Sequence, residues 1–336
     1  RKVLHLVLLL LLTTGIISTC FNLWSNRILT DVVAATREDQ TQAISQISEE
    51  TMLKIQESSL LQMTDLRAQV ADADFSEVVN NLYMLRTMAQ GVIENRDILL
   101  PASVSPPNAS MGNEISAMVL CEEGMDYTES EYLGHIAHLS SPMIALCANS
   151  DKVDGCFIGL EDGTDLSVDG EALSKLDAEG NPLSFPVRQR PWYRGAVEAG
   201  GLYFTGIMPD AFTGRLLLTC ALPIEVEGKL VGVAGIDIIL DGVSAFLEST
   251  DAEGLQVFTV NSEGQIILSS EKEGPFAVQT MDQAVDLRAA ENEPLASLVT
   301  EALEGGSGLQ LLEVEGVEYF MAGAPLSTVG WAVITA

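Results

Sequence analysis

The chain has 336 residues, of which 47% are hydrophobic, with 17 basic against 48 acidic side chains and a formal net charge of −31. This length exceeds one ordinary core and suits two modest domains with connecting elements. Nucleic-acid binding needs Lys and Arg to contact phosphates, so the charge balance excludes that class of protein. The acidity favours solubility and would repel an anionic membrane surface, so we expect the folded part to stand off the bilayer.

Residues 1–30 are predicted to be a transmembrane signal anchor. Val3–Phe21 is almost wholly apolar and follows Arg1 and Lys2, so it can span a bilayer with the N-terminus in the cytoplasm. A cleaved signal peptide is the alternative, but no Ala-x-Ala-like site is present and Trp24 suits the membrane interface. We therefore expect a single-pass or two-pass protein of the cell membrane whose bulk is extracytoplasmic, with its output part beyond this chain.

Residues 31–100 are predicted to form one long helix. They contain no Pro and one Gly, and their apolar residues recur at helical spacing. A bend is plausible at Asp72-Ala73-Asp74, and Pro101 ends the pattern. The helix could pack along its own domain or pair with a second subunit. Because its C-terminal half is richer in large apolar residues, we expect that half to pack on the domain and the other half to form a homodimer contact.

Residues 101–250 are predicted to be a first, membrane-distal module. Gly155–Leu160 reads as a strand, and Leu216–Ile224 and Leu230–Ile239 read as a hairpin whose turn contains Gly228. The stretch Glu129–Leu139 is helix-like, and Asp241–Leu247 is expected to be a short connecting helix.

Residues 251–336 are predicted to repeat this plan as a membrane-proximal module. The expected strands are Leu255–Val260, Gln265–Leu268, Leu309–Val314, Val317–Ala322 and Trp331–Ile334, with a helix over Pro294–Glu304. The fold class is therefore α+β: a long N-terminal helix followed by two α/β modules in series, each with an antiparallel sheet.

The cysteine and histidine residues do not form a recognisable metal-binding or cofactor-binding pattern. The five cysteines contain no Cys-x-x-Cys pair, and only three histidines are available, so neither a metal site nor a cofactor is predicted. His135 and His138 are expected to be surface histidines. Outside the apolar segment, Cys121, Cys147, Cys156 and Cys220 could form up to two disulfides in an oxidising compartment, with three connectivities open.

The most distinctive stretch is Arg188-Gln189-Arg190-Pro191-Trp192-Tyr193. Two cations beside two large aromatic residues are a costly composition for a plain surface loop. Asp210 follows in a turn, and Asp237 lies within an otherwise apolar strand, where a carboxylate needs a partner.

With these residues the chain resembles the double Cache family, the extracytoplasmic sensor modules of bacterial chemoreceptors, histidine kinases and diguanylate cyclases, whose modules are PAS-like. Amino-acid-sensing members carry an Arg-x-Trp-Tyr motif, then Tyr-x-Asp and a further Asp, and Arg190, Trp192, Tyr193, Asp210 and Asp237 match these positions in spacing. Two positions depart: Phe185 and Met208 stand where the family has tyrosines. The resemblance implies that the hydroxyl groups of those tyrosines contact the ligand. Because this chain lacks them, its pocket should be more apolar than that of the family.

Physical chemistry gives the same residues complementary roles. Arg190 presents a planar cation that suits a carboxylate, Trp192 and Tyr193 add donors and walls, and Asp210 with Asp237 attract an ammonium group. Phe185 and Met208 complete the predicted ligand-binding set. The competing interpretation is an internal ion pair between Arg190 and Asp237, and Tyr203 and Phe204 are expected in the core or the pocket wall.

The predicted function is a ligand-binding sensor region of a membrane receptor that binds an amine-bearing small molecule, first of all an amino acid. By resemblance, ligand binding would shift the long helix and alter a cytoplasmic output. The alternatives are an adhesion or scaffold ectodomain without a specific ligand, and a sensor for a purine or a carboxylate. No hydrolase motif such as Gly-x-Ser-x-Gly or His-Glu-x-x-His is present, so no catalytic residue is predicted.

Overall fold

The structure is a computed structural model that describes residues 2–239 and 255–336. It divides into two compact units, residues 1–59 and 60–336. The predicted connecting helix Asp241–Leu247 and the predicted module boundary at 250/251 lie outside the described residues. The two-module division by residue number therefore stays a prediction.

Helix α1 spans Lys2–Glu94. In the first unit, the large apolar side chains from Leu8 to Ile55 are exposed, and this helix is long and apolar enough near its N-terminus to cross a membrane. In the second unit, apolar side chains at helical spacing are buried, among them Phe75, Leu82 and Ile93. The prediction that the C-terminal half packs on the domain is confirmed. The helix ends six residues earlier than predicted, and no break in it occurs at Asp72-Ala73-Asp74.

The first sheet has seven antiparallel strands in the order β1-β3-β2-β7-β6-β4, with β5 also paired to β6. The strands are β1 Ser116–Cys121, β2 Val153–Leu160, β3 Thr164–Asp169, β4 Tyr203–Phe204, β5 Met208–Pro209, β6 Leu216–Val226 and β7 Lys229–Ile239. Its helices are α2 Leu133–Ile136, α3 Ser140–Asn149 and α4 Pro191–Ala199.

The sequence predicted β2 and the β6–β7 hairpin but missed β1, β3 and α3. The hairpin is confirmed: Glu227 and Gly228 both have positive φ, 51° and 75°, as a two-residue turn that follows strand twist requires. The helix-like stretch Glu129–Leu139 contains only the single turn of α2 between two short 3₁₀ segments.

The second sheet has five antiparallel strands in the order β10-β11-β12-β8-β9. They are β8 Val257–Val260, β9 Ile266–Ser269, β10 Gln310–Val314, β11 Val317–Leu326 and β12 Trp331–Thr335, and helix α5 spans Glu293–Glu304. Every element predicted for this sheet is present, so the α+β class with two antiparallel sheets is confirmed.

Aromatic packing joins the two sheets to the C-terminal part of α1. The ring of Trp331 on β12 lies 4.8 Å from that of Phe204 on β4 and 4.7 Å from that of Phe75 on α1. The backbone N–H of Thr328 donates to the Asp72 carboxylate at 2.8 Å. The expected core position of Phe204 follows from these contacts.

Cysteines are free thiols in the described residues, and one pair of them is in contact. The Sγ atoms of Cys147 on α3 and Cys156 on β2 are 3.4 Å apart in the core. Cys220 is buried elsewhere in that core.

Candidate functional site

A cavity opens on the face of the first sheet that α4 covers. Its volume, with the space open to solvent at its mouth, is about 590 Å³. The strands deliver alternate residues to it: on β7, Asp237 points to the cavity while Ile236 and Ile238 point to the opposite core. This alternation explains how a carboxylate sits within an apolar strand.

Arg190 lies at the entrance to α4. It precedes Pro191, the first residue of the helix, and its own backbone is extended (φ −68°, ψ 143°), which ends the preceding 3₁₀ turn and directs the side chain to the cavity. The guanidinium carbon lies 5.4 Å from the centre of the Phe185 ring, and the buried Nε has no hydrogen-bond partner among the described residues. No salt bridge joins Arg190 to Asp237 among the described residues, and Asp237 Oδ1 accepts from the Thr219 hydroxyl, so the structure gives no support to the alternative of an internal Arg190–Asp237 ion pair.

Trp192 and Tyr193 are both buried at the start of α4, but only Trp192 lines the cavity. Its ring lies 4.5 Å from the ring of Phe157. The Tyr193 hydroxyl donates to Glu161 at 2.6 Å, and burial raises its pKa, so it stays protonated. The structure therefore places Tyr193 as support behind the cavity rather than on its wall, which departs from the predicted direct contact.

The approach of α4 to the sheet depends on glycines. A Cβ added at Gly159 on β2 would lie 2.5 Å from Val187 Cγ2 and 2.9 Å from the Trp192 ring. A Cβ at Gly235 on β7 would overlap the Phe157 ring. These two strand positions let the aromatic rings lie directly on the backbone.

Asp210 lies in the turn after β5, and the turn orients its carboxylate. Oδ1 accepts from the backbone N–H of Phe212 at 3.1 Å and of Thr213 at 2.8 Å, and from the Thr213 hydroxyl at 2.7 Å. Burial raises the pKa of Asp210, but these hydrogen bonds outweigh it and hold the pKa below its ordinary value. Asp210 is therefore a fixed negative charge on the cavity wall.

Asp237 also lines the cavity, and its Oδ1 accepts from the Thr219 hydroxyl at 2.6 Å. Burial raises the pKa of Asp237 to about 8, and the negative charges of Asp210, Asp154 and Asp169 add to this effect against the Thr219 hydrogen bond. These surroundings disfavour the ionised form of Asp237, and a cation in the cavity would favour it.

Phe185 and Met208 both line the cavity and are buried. The Phe185 ring lies 5.4 Å from that of Phe212, and Met208 pairs with Leu217 between β5 and β6. Six of the seven predicted site residues, all but Tyr193, are thus brought together around one cavity.

Five charged residues of the cavity were missed by sequence reasoning: Asp154, Asp165, Asp169, Glu171 and Lys175. Lys175 is buried, and its Nζ lies 2.8 Å from Asp169 Oδ1. The signal that could have found them is the alternation Asp165-Leu166-Ser167-Val168-Asp169, which puts three polar side chains on one face of β3. In the described part of the chain, no group of three or more His, Cys, Asp or Glu is arranged to hold a metal ion.

His135 and His138 do not form a pair of ligands. The Nε2 of His138 lies 2.8 Å from the carbonyl oxygen of Leu100, while His135 has a buried Nδ1 without a partner among the described residues. The Arg188 guanidinium is also occupied, since it binds Glu122 through two hydrogen bonds of 3.0 and 2.6 Å.

Comparisons with known proteins find partial sequence similarity to bacterial chemoreceptors. No protein-family model matches it. The methyl-accepting chemotaxis protein PscA of Pseudomonas syringae pv. tomato is 33% identical over 126 residues, which cover 37% of this chain and 19% of that protein. The matching segment thus spans about a fifth of the length of this curated relative.

Two solved ligand-binding domains show the same fold. That of the Pseudomonas aeruginosa amino acid chemoreceptor PctB, in complex with L-Arg, aligns with a TM-score of 0.53 and 20% identity over 84% of this chain and 94% of its own. That of the Pseudomonas fluorescens chemoreceptor CtaA, in complex with L-isoleucine, aligns with a TM-score of 0.53 and 16% identity over 86% and 94% of the two chains. The fold expected from the double Cache resemblance is confirmed.

Proposed function

We propose that this chain, which has the fold of double Cache chemoreceptor sensor domains, is the extracytoplasmic ligand-binding region of a membrane receptor and binds an amino acid. One observation carries the proposal: one cavity is lined by Arg190, whose Nε has no hydrogen-bond partner among the described residues, and by Asp210 and Asp237, two carboxylates that form no salt bridge with any of those residues. A zwitterion supplies what each side lacks.

In this proposal Arg190 binds the ligand carboxylate and the two aspartates bind its ammonium group. The guanidinium is always charged and carries parallel donors, so it suits a carboxylate. Asp210 Oδ1 is occupied by the turn, which leaves its other oxygen for the ammonium. A simple dicarboxylate would leave the aspartates unmatched, and it would also be repelled by them.

The remaining wall is apolar and suits the side chain of the ligand. Phe185, Met208 and Trp192 contribute no hydroxyl groups where the resemblance would place two tyrosines. Compared with family members that have both tyrosines, this pocket would make fewer hydrogen bonds to the ammonium and carboxylate of the ligand. Their recognition would depend more on the charges of Arg190, Asp210 and Asp237. The proposed ligand class is therefore the amine-bearing small molecules, and within this class a standard α-amino acid fits the cavity best.

The membrane arrangement is part of the same proposal. The apolar N-terminal part of α1 would anchor the chain in the cell membrane, and the exposed apolar residues further along, such as Ile44, Ile47 and Leu53, would pair with a second copy. Ligand binding would act on α1 through the domain packed against Phe75 and Ile93. No catalytic step belongs to this region, and the output would lie in another part of the receptor.

Isothermal titration calorimetry on the full chain in detergent micelles tests the ligand class. The panel contains amino acids, amines, purines and dicarboxylates, and the variants are Arg190→Ala and Asp237→Asn. We expect saturable binding of amino acids, weakened about 30-fold or more in either variant, because each leaves one charged end of the ligand unpaired. Asp286→Asn is the matched control, since Asp286 pairs with Arg288 away from the cavity, and it should leave affinity unchanged.

Other outcomes contradict the proposal in different ways. Binding of purines or dicarboxylates alone would replace the amino acid by another metabolite. A folded protein that binds no member of the panel would favour a scaffold ectodomain. Amino-acid binding that survives in both variants would place the ligand elsewhere in the molecule.

A further inference from the structure

Strand β3 lines the cavity with a polar stripe. Asp165, Ser167 and Asp169 point to the cavity, while the intervening Leu166 and Val168 are fully buried on the opposite face. Alternation along a strand places all three polar side chains on one side. Asp169, at one end of the stripe, is near enough to Asp237 to act on its pKa, whereas Asp165 lies at the other end.

Asp165 is the member of this stripe that lacks a partner. The residue is 1% exposed, and its buried Oδ1 makes no hydrogen bond to any described residue. Asp169, two positions along the same face, is matched by Lys175 at 2.8 Å and by the backbone N–H of Glu171. An unpartnered buried carboxyl is strongly disfavoured, so Asp165, unlike Asp169, needs a partner that the described residues do not supply.

The other charges of the cavity leave Asp165 without a counter-ion. Its lining contains six acidic side chains, Asp154, Asp165, Asp169, Glu171, Asp210 and Asp237, against two basic ones, Lys175 and Arg190. Lys175 pairs with Asp169, and Arg215 pairs with both Asp154 and Glu171. An amino acid bound between Arg190 and the Asp210–Asp237 pair uses up the remaining groups, which leaves Asp165 unmatched.

Asp165 is also too far from Asp237 for one ammonium group to serve both. In the strand register, Asp237 pairs with Gly155, and Gly159 pairs with Asp165 four residues further along β2. Two strand spacings and four residues correspond to roughly 16 Å between the Cα atoms. A ligand that reaches both carboxyl groups must carry two positive charges at some distance from each other.

We propose that Asp165 forms a second cation subsite, so that the preferred ligand is an amino acid with a positively charged side chain. This rests on the proposed function, since the α-ammonium and α-carboxylate occupy the first subsite. The side-chain ammonium or guanidinium then donates to the Asp165 carboxylate, and Trp192 and Leu120, which line the same cavity, enclose the alkyl part.

The electrostatics of the cavity wall agree with this assignment. Burial raises the pKa of Asp165 to about 7, and the charge of Asp169 adds to the effect against that of Lys175. Without a ligand the carboxyl therefore holds a proton part of the time near neutral pH. A bound cation favours the ionised form.

The test compares L-lysine with L-norleucine, which has the same chain length but no side-chain charge. Calorimetry on the full chain in detergent should show lysine binding about tenfold or more tightly than norleucine. Asp165→Asn should abolish this preference by weakening lysine and leaving norleucine unchanged. Ser167→Ala, on the same face of β3, is the matched control and should keep the preference.

The outcomes separate this subsite from the function it rests on. If the wild type binds norleucine as tightly as lysine, or if Asp165→Asn keeps the lysine preference, the second subsite is overturned while amino-acid binding stands. The comparison of the two ligands on the wild type needs no variant and so does not depend on how well Asp165→Asn folds. If neither ligand nor any other amino acid binds, the proposed function itself fails.

Discussion

The two sheets share a plan but differ in what they bury. Each is antiparallel and carries a helix on one face, α4 on the first and α5 on the second. The first sheet and its loops bury Asp165 and Lys175. In the described part of the second, the buried polar residues are all uncharged, namely Thr259, Asn261, Ser307 and Thr335.

This difference separates the needs of folding from those of binding. The second sheet closes its core with apolar packing, so the shared plan does not require buried charges. Its small cavity is lined by Ile266, Pro275, Ala277, Gln279, Ala284, Val285 and Leu287, none of which is charged. Buried ionised groups cost free energy unless they are paired, which is why the charges of the first sheet point to a ligand.

The largest effect is expected at the contact that joins the two sheets. Trp331 belongs to the second sheet but packs on Phe204 of the first and Phe75 of α1. Trp331→Ala should lower the free energy of unfolding by about 3–5 kcal/mol, measured by guanidinium denaturation. Phe320 lies on β11 and is 54% exposed. Phe320→Ala should therefore change the free energy of unfolding by less than about 0.5 kcal/mol. Equal losses in both variants would show that the aromatic contact does not hold the sheets together.

Two crowded glycines, one in each sheet, can test whether the first sheet binds the ligand while the second serves only as scaffold. Gly159 lies under Trp192 in the first sheet, and Gly323 lies under Ala302 of α5 in the second; an added Cβ is crowded at both. Substitution to Ala should destabilise the protein by about 1–3 kcal/mol in each case, measured by thermal and chemical unfolding. Only Gly159→Ala should also weaken ligand binding, because it displaces the Trp192 wall. Weaker binding in Gly323→Ala would contradict the assignment of the second sheet as scaffold.

Alternation and turn chemistry explain which elements the sequence predicted. β6 and β7 are long and are joined by a turn in which Glu227 and Gly228 adopt positive φ, so both periodicity and turn signalled them. β3 was missed because Asp165, Ser167 and Asp169 are polar residues that face inward. A strand of that pattern reads as an exposed loop unless the cavity is known.

The site was predictable where a motif fixed the spacing and not where folding brought distant residues together. Arg190, Trp192, Asp210 and Asp237 were found by resemblance and charge. Tyr193 matched the same motif, but its hydroxyl is taken by Glu161, 32 residues earlier. No local pattern predicts that long-range hydrogen bond, nor the pairing of Lys175 with Asp169 against the cavity wall.

The two sheets should also differ in how they contribute to the pH dependence of stability. Asp237 has a pKa of about 8 in the folded chain, against an ordinary value of 3.8. The folded state therefore binds more protons than the unfolded state between these values, so the free energy of unfolding falls as pH rises from about 4 to 8. Asp237→Asn should remove the part of this decline that Asp237 contributes, measured as the difference between wild-type and variant denaturation at each pH.

A ligand cation should reverse this trend, since it favours the ionised carboxyl. Amino-acid affinity is then expected to rise with pH up to about 8, with release of protons from the protein to the buffer visible in calorimetry. Thr259→Val, in the uncharged core of the second sheet, is the control and should leave the pH slope as in the wild type. A slope that is identical in Asp237→Asn would mean that Asp237 is ionised in the empty site.

The smallest effect is expected from the exposed arginines of the two sheets. Arg215 contacts Asp154 and Glu171 at 2.6 Å with 52% of its side chain exposed, and Arg288 contacts Asp286 at 2.9 Å with 38% exposed. Either change to Ala should cost less than about 1 kcal/mol of stability, because exposed ion pairs are screened by solvent. Arg215→Ala also uncovers two carboxylates of the cavity, so it should raise the affinity for a cationic amino acid about threefold at low salt and less at high salt. Arg288→Ala should leave that affinity unchanged at either salt concentration. Weaker binding in Arg215→Ala would instead show that Arg215 holds Asp154 and Glu171 in the positions the ligand needs.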